Sequence, residues 1–266
     1  FFTQKTANQI PLRLVGSEMC IRDRLTNMVS VDRSFDFSQE DELISGRSYM
    51  SKIIMDKPNL LYNYTNLGYQ NYYCATEEKD LMNKLYFDGI RLGEVLKKVS
   101  DTEPVFRDAD IVGFDMKCLS WQASADPLKG NPNGIDSRTI CGLTRYAGIS
   151  DRVSFMGIHE LPSTPMMDKL LAQMVWYFIE GFNCRVNDDN FENLDEFNKY
   201  TVLVQGHELI YYRSLKTGRW WIQTPLTNNL NTKRSKYTLL ACTQSDYDIA
   251  IKGQIPERWY KAYKKG

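Results

Sequence analysis

Histidine is nearly missing from this chain: His159 and His207 are the only two in 266 residues. There is no Cys/His nucleophile pair, no G-x-S-x-G elbow and no Gly-rich loop to cradle a phosphate. The six cysteines, at 20, 74, 118, 141, 184 and 242, form no CxxC pair and no repeating spacing, so reduced thiols in a cytoplasmic protein are expected. Neither sign of charge is in excess. Lys plus Arg and Asp plus Glu each total 33, which supplies no basic field for nucleic acid. No apolar run is long enough to cross a bilayer, and FFTQKTANQIPLRLVG lacks the basic start and apolar core of a signal peptide. Neither nucleic acid nor membrane is therefore expected as a partner. Internal repeats and low-complexity linkers are absent too. What is present is ordinary for a globular chain, with 42% hydrophobic and 25% charged residues, enough for one large domain or two small ones.

The stretch from Leu14 to Arg24, LVGSEMCIRDR, resembles a translated transposon-type sequencing adapter and has neither helical nor strand periodicity. Residues 1–24 are accordingly set aside as a disordered artefact, with the meaningful chain starting near Leu25 and its natural N-terminal part missing. Removing four basic and two acidic residues from 33 of each leaves 29 against 31, still near neutral.

From there the pattern alternates. Met28–Asp32 reads as a buried parallel strand, 40–55 as a short helical or irregular stretch, and Asn63–Tyr69 as a strand. Glu77–Val99 reads as one amphipathic helix, with Leu81, Leu85, Ile90, Leu92, Val95 and Val99 on its apolar face. Ala109–Met116 is nearly all apolar and predicts a central strand. A Pro/Gly/Asn-rich loop, a helix over Asp136–Ala147 capped by Asp136, a strand at Val153–Ile158 and a helix at Pro165–Phe182 follow. The order predicts a doubly wound α/β parallel sheet. After Arg185, Tyr200–Val204, Glu208–Arg213 and Trp220–Thr224 predict an antiparallel meander turning at Gln205-Gly206 and Lys216–Gly218. A strand near Tyr237–Leu240 and helices near 244–251 and 256–264 close the chain.

Three predicted strands end in acidic residues, where open α/β sheets bind ligands. They give Asp32-Arg33-Ser34-Phe35-Asp36, Asp115-Met116-Lys117 and His159-Glu160-Leu161-Pro162. Each alone reads equally well as a cap or a solvated loop. In this order they resemble the ureohydrolase superfamily (arginase, agmatinase, formimidoylglutamase), which carries D-x-H-x-D after one strand, S-F-D-x-D after a later one, and a glutamate further on. Asp32, Asp36, Asp115 and Glu160 match. Pro132-Asn133-Gly134, Arg138 and TRYAGISDRV extend the likeness, which runs from about Met28 to Arg185 and, for an arginase-like bacterial subgroup, into the meander.

The resemblance implies an arginase-like sheet, incomplete at its N-terminus, over 25–186, with a β-rich extension over 187–266. It also implies two Mn²⁺ ions bridged by a hydroxide that attacks a small guanidino or formimino molecule, and homo-oligomeric assembly. Asp32, Asp36 and Asp115 become metal ligands, Asp115 and Glu160 catalytic residues, and Glu160 and His159 substrate contacts. Two positions depart from the family: Ser34 stands for the histidine and Lys117 for the second aspartate, while the earliest ligand, a histidine in Gly-Gly-x-His, falls upstream of residue 25. The Lys117 ammonium is expected either to pair with Asp32, Asp36 or Asp115 as a substitute cation, or to swing away and leave a single-metal site. The resulting expectation is a degraded dimetal centre without activity. A working C–N hydrolase and a non-enzymatic interaction module, using Trp220, Trp221, Trp259, Tyr260 and Tyr263, are the alternatives. For His159, a proton shuttle stands beside a structural role.

Overall fold

A computed structural model describes residues 26–37, 46, 48–57, 59–126, 130–188, 191, 194–225 and 237–265. The adapter-like segment and all of 38–45 lie outside these residues. The first sheet has five parallel strands: β1 (Thr26–Val31), β2 (Leu61–Tyr69), β3 (Asp88–Arg91), β4 (Ile111–Asp115) and β5 (Phe155–His159), in the order β3-β2-β1-β4-β5. The chain therefore builds outward from β1 to β3, then crosses back to lay β4 on the other side of β1. The carboxyl ends of β1 and β4 meet at this change of direction, the place where open α/β sheets leave a crevice.

Alternation along β1 gives the sheet two buried faces. Val29 and Val31 join Val112, Phe114 and Leu67 on one face, under α3 (Leu92–Lys97), α4 (Glu103–Arg107), α6 (Ser137–Ile149) and α7 (Pro165–Asn183). Met28 and Tyr64 join Phe35, Met50 and Met82 on the other, under α1 (Tyr49–Met55) and α2 (Thr76–Lys84). Asp136 caps α6 as expected, accepting the Thr139 N–H at 2.7 Å. The α6–α7 pair packs backbone to backbone because Gly148 and Gly181 meet there. A Cβ on Gly148 would sit 2.2 Å from the Phe178 carbonyl oxygen.

The single helix expected over Glu77–Val99 is corrected to helix, strand, helix. After α2 the backbone turns through Tyr86 at φ +53°, and β3 pairs in parallel with β2. Phe87 then faces the Tyr64 cluster while Ile90 packs on the Val29 cluster. Completing the sheet uses these residues at period 2, and that gain overrides their helical spacing. The apolar residues of α7 divide between core and surface. Met167 and Met174 are buried, but Met166 and Trp176 are more than half exposed.

The second sheet is the expected meander, β6 (Phe197–Val204), β7 (His207–Ser214), β8 (Trp220–Pro225) and β9 (Tyr237–Cys242), antiparallel throughout. Gln205 and Gly206 both take positive φ, the hairpin geometry that fits strand twist. Helices α5 (Trp121–Ser124), α8 (Gln244–Ile251) and α9 (Glu257–Lys265) complete the described elements. Trp220 and Trp221 face opposite sides of this sheet and both are buried, as is Trp259, so these three rings form its cores rather than a docking surface. His207 lies beside the rings of Trp259 and Tyr263, with centroids 5.5 and 5.7 Å away. Arg107 at the end of α4 ties the sheets together, donating to the carbonyls of Trp220 and Cys242. The five described cysteines are unpaired, and no described helix is long and apolar enough to cross a membrane.

Candidate metal centre

Asp32 is the first residue past β1, and its N–H still donates to the Leu67 carbonyl, which fixes it to the sheet end. The loop then folds back on itself. The Ser34 N–H donates to Asp32 Oδ1 at 3.2 Å and its hydroxyl donates to Asp36 Oδ1 at 2.8 Å. Asp36 sits at φ +58°, a left-handed conformation that few non-glycine residues hold without support. That support includes Asn66 of β2, whose amide donates to the Ser34 carbonyl at 2.7 Å. Asp115 closes β4, and the Lys117 N–H caps it at 2.7 Å.

These turns bring Asp32, Asp36 and Asp115 together. One oxygen from each carboxylate lies within 4.8 Å of the others, the spacing of groups able to hold one metal ion. Asp32 is 1% exposed and Asp36 5%. Among the described residues none of the three makes an ion pair with Lys or Arg. Burial, then the charges of Asp36 and Asp115, push the Asp32 carboxyl well above the ordinary carboxylate range. Burial raises Asp36 as well, partly offset by hydrogen bonds with Asp32 and Ser34 and by the charges of Lys117 and Arg33. Burial raises Asp115 to about 6, opposed by the Lys117 N–H and ammonium.

The Lys117 ammonium does not pair with an aspartate. It lies 3.1 Å from Glu160 Oε2, and both side chains are partly exposed. The single 3₁₀ turn that lets the Lys117 N–H cap Asp115 carries its side chain across to the end of the neighbouring strand, where Asp115 is in register with His159. Glu160 is the second left-handed residue of the site, at φ +56°. The His159 ring folds back over Gly157, where an added Cβ would meet Nε2 at 2.6 Å, and partial desolvation lowers its pKa. His159 is not among the clustered ligand atoms. Sequence reading missed Asn66, whose part in the site shows only in register and burial. Register pairs Ser30 with Asn66, two buried polar residues beside this loop.

The raised carboxyls make a prediction for metal-free protein. A carboxyl whose pKa is higher in the native state than unfolded binds extra protons when folded. Its favourable contribution is present below the unfolded value of 3.8 and is lost as pH rises through the native value, about 6 for Asp115. Urea unfolding of chelator-treated protein should therefore show stability falling by roughly 1–3 kcal/mol from pH 5 to pH 7.5. Each extra proton held by the native state is worth about 1.4 kcal/mol per pH unit, and the contribution of Asp115 is reduced by its partial exposure. The same slope in an Asp32→Asn/Asp115→Asn variant would place its source elsewhere.

No family model and no curated protein matches the chain. Solved structures do. A Trypanosoma cruzi formiminoglutamase with Mn²⁺ superposes at a TM-score of 0.55 with 16% identity, over 60% of this chain and 58% of that one. An arginase superfamily protein from T. cruzi gives 0.55 and 16%, over 60% and 57%. The Bacillus subtilis formimidoylglutamase gives 0.53 and 13%, over 60% and 54%. The chain thus spans less than three fifths of the length of these proteins, and at this identity the likeness is one of fold. In its parallel five-stranded sheet flanked by helices, the chain shares the fold of these formiminoglutamase and arginase-superfamily structures.

Proposed function

We propose that this is a ureohydrolase-fold protein whose dimetal centre is degraded to a site for one Mn²⁺, and that it does not hydrolyse C–N bonds. The donor set carries the reading: three buried aspartate oxygens within 4.8 Å, with Ser34 and Lys117 as the other groups of the two motifs. Three hard carboxylates suit one hard divalent ion, and such an ion would offset the mutual repulsion that raises Asp32. A second ion does not fit. Ser34 offers only a neutral hydroxyl, already bonded to Asp36. The Lys117 ammonium adds repulsion of roughly 4 kcal/mol per pair of unit charges at 4 Å and an effective dielectric of about 20. Glu160, the residue the resemblance assigns to a cationic substrate, is already neutralised by that ammonium.

When bound, Mn²⁺ supplies Lewis acidity and positive charge. The chain's own part is to hold the three carboxylates in place: Asn66 and Ser34 brace the 32–36 loop, and the Lys117 N–H fixes Asp115. Isothermal titration of purified protein should give at most one equivalent of Mn²⁺. Assays with arginine, agmatine and formiminoglutamate should release no urea, ammonia or formamide. Two equivalents together with product release would overturn the proposal in favour of the second reading, a Mn-dependent hydrolase of guanidino or formimino C–N bonds. That reading draws support from the clustering of the aspartates and the left-handed backbone held at Asp36 and Glu160. On the second reading alone the ligand is a small guanidino or formimino molecule, and homo-oligomeric assembly is an expectation that comes with the fold likeness. The unpaired cysteines support a cytoplasmic setting.

A further inference from the structure

We propose that Lys117 is a tethered, exchangeable counter-ion that sets the affinity of the three-aspartate centre for its divalent cation, with Glu160 as the position that holds its ammonium out of the way. This rests on the reading that the centre takes such a cation. Only the side chain of Lys117 is free to move. Its N–H is fixed on Asp115 at 2.7 Å, and its neighbours Met116 and Cys118 are buried. The ammonium, on a four-carbon stem, reaches Glu160 at 3.1 Å, where the two side chains are 36% and 44% exposed. An ion pair so exposed is weak and exchanges readily.

Glu160 follows β5 directly and sits at φ +56°, with the Gly46 backbone close enough that a Cβ added there would lie 3.4 Å from its Oε1. The stem nevertheless starts at the centre, because the Lys117 backbone is bonded to Asp115, so a four-carbon side chain rooted there is long enough to turn toward the aspartates as well as toward Glu160. Four carboxylates thus face one ammonium with two resting places. Resting on Glu160, it leaves the aspartates to a divalent ion. Drawn to Asp36 and Asp115, it competes with that ion.

Equilibrium Mn²⁺ binding to the full chain tests this in a four-way comparison. Lys117→Met should bind Mn²⁺ about tenfold or more tightly than the natural protein. Glu160→Gln should bind about tenfold more weakly, because the released ammonium falls back on the aspartates. In the Lys117→Met background, Glu160→Gln should change affinity by no more than about twofold, since no competing cation remains. A Glu160→Gln effect of equal size in both backgrounds, or no gain from Lys117→Met, overturns the counter-ion role while leaving the metal centre standing. Absence of Mn²⁺ binding in all four proteins overturns the centre itself, and this role with it. Circular dichroism and thermal unfolding check that each variant folds, with Lys117→Gln replacing the methionine variant if that one does not.

Discussion

Replacing Arg107 by alanine should destabilise the protein by about 3–5 kcal/mol in urea unfolding at neutral pH, the range for breaking a buried, hydrogen-bonded charge pair. The guanidinium is buried at the end of α4, where burial, joined by the charge of Arg219, lowers its pKa against the opposing pull of Glu103 and Asp108. Its geometry offsets that cost. Nη1 donates to the Trp220 carbonyl at 3.0 Å, Nη2 to the Cys242 carbonyl at 2.9 Å, and Nε pairs with Glu103 at 3.0 Å. The plane also stacks 4.6 Å from the Trp221 ring. Alanine would strand two carbonyls of the second sheet and half of Glu103's partners, with Arg219 keeping the other half at 3.2 Å. Because these bonds join α4 of the first sheet to β8 and β9, the loss should appear first as faster hydrogen exchange along β8 and β9. A cost below about 1 kcal/mol would mean that the sheets are held together by apolar contact alone.

Most of the architecture was legible because strand and helix carry different periods. Val29 and Val31 in β1, and the capped helices beginning at Asp136 and Thr164, each left a local signature that packing then used. The failure at Glu77–Val99 has the opposite origin. Leu85, Ile90 and Leu92 were read as part of one helix face, and only the vacant edge of β2, a feature no local window contains, turns 88–91 into a strand. Trp220 and Trp221 were ambiguous for a related reason. Adjacent aromatics in a strand face opposite ways, and whether both faces are covered depends on α9 and α4 far along the chain.

At the site, the resemblance singled out the carboxylates, and the fold could unite them because a carboxylate just past a strand inherits its position from the sheet. Asp32, Asp36 and Asp115 came together on that basis. The partner of Lys117 was not legible. A four-carbon stem reaches any carboxylate within several ångströms, and the choice of Glu160 depends on the turn that points it there. Asn66 escaped for the reverse reason. It touches the site through the Ser34 carbonyl, and backbone atoms carry no sequence signal.

The same crowding of charge makes Asp32→Asn the most telling substitution at the centre. Without metal it should stabilise the protein at pH 7.5 by about 1–3 kcal/mol, because it removes one buried charge from a group of three. The amide keeps the shape of the carboxylate and an oxygen for the Ser34 N–H, while its NH₂ can donate to a neighbouring aspartate. With metal the order should reverse. Losing even an outer-shell partner costs roughly 10–100-fold in metal affinity, so losing a ligating carboxylate should cost at least about 100-fold. Mn²⁺ at about 100 times its Kd would then stabilise the natural protein by roughly 2.7 kcal/mol and leave the variant nearly unchanged. Unfolding curves of the two proteins, each in chelator and in Mn²⁺, should therefore cross. If Asp32→Asn is the less stable protein in chelator, the three aspartates are already balanced by the protein and have no deficit for a cation to fill. If the variant gains as much as the natural protein from Mn²⁺, the ion binds elsewhere. Only a crossing fits a centre in which folding tolerates the repulsion of three buried carboxylates and a bound cation relieves it.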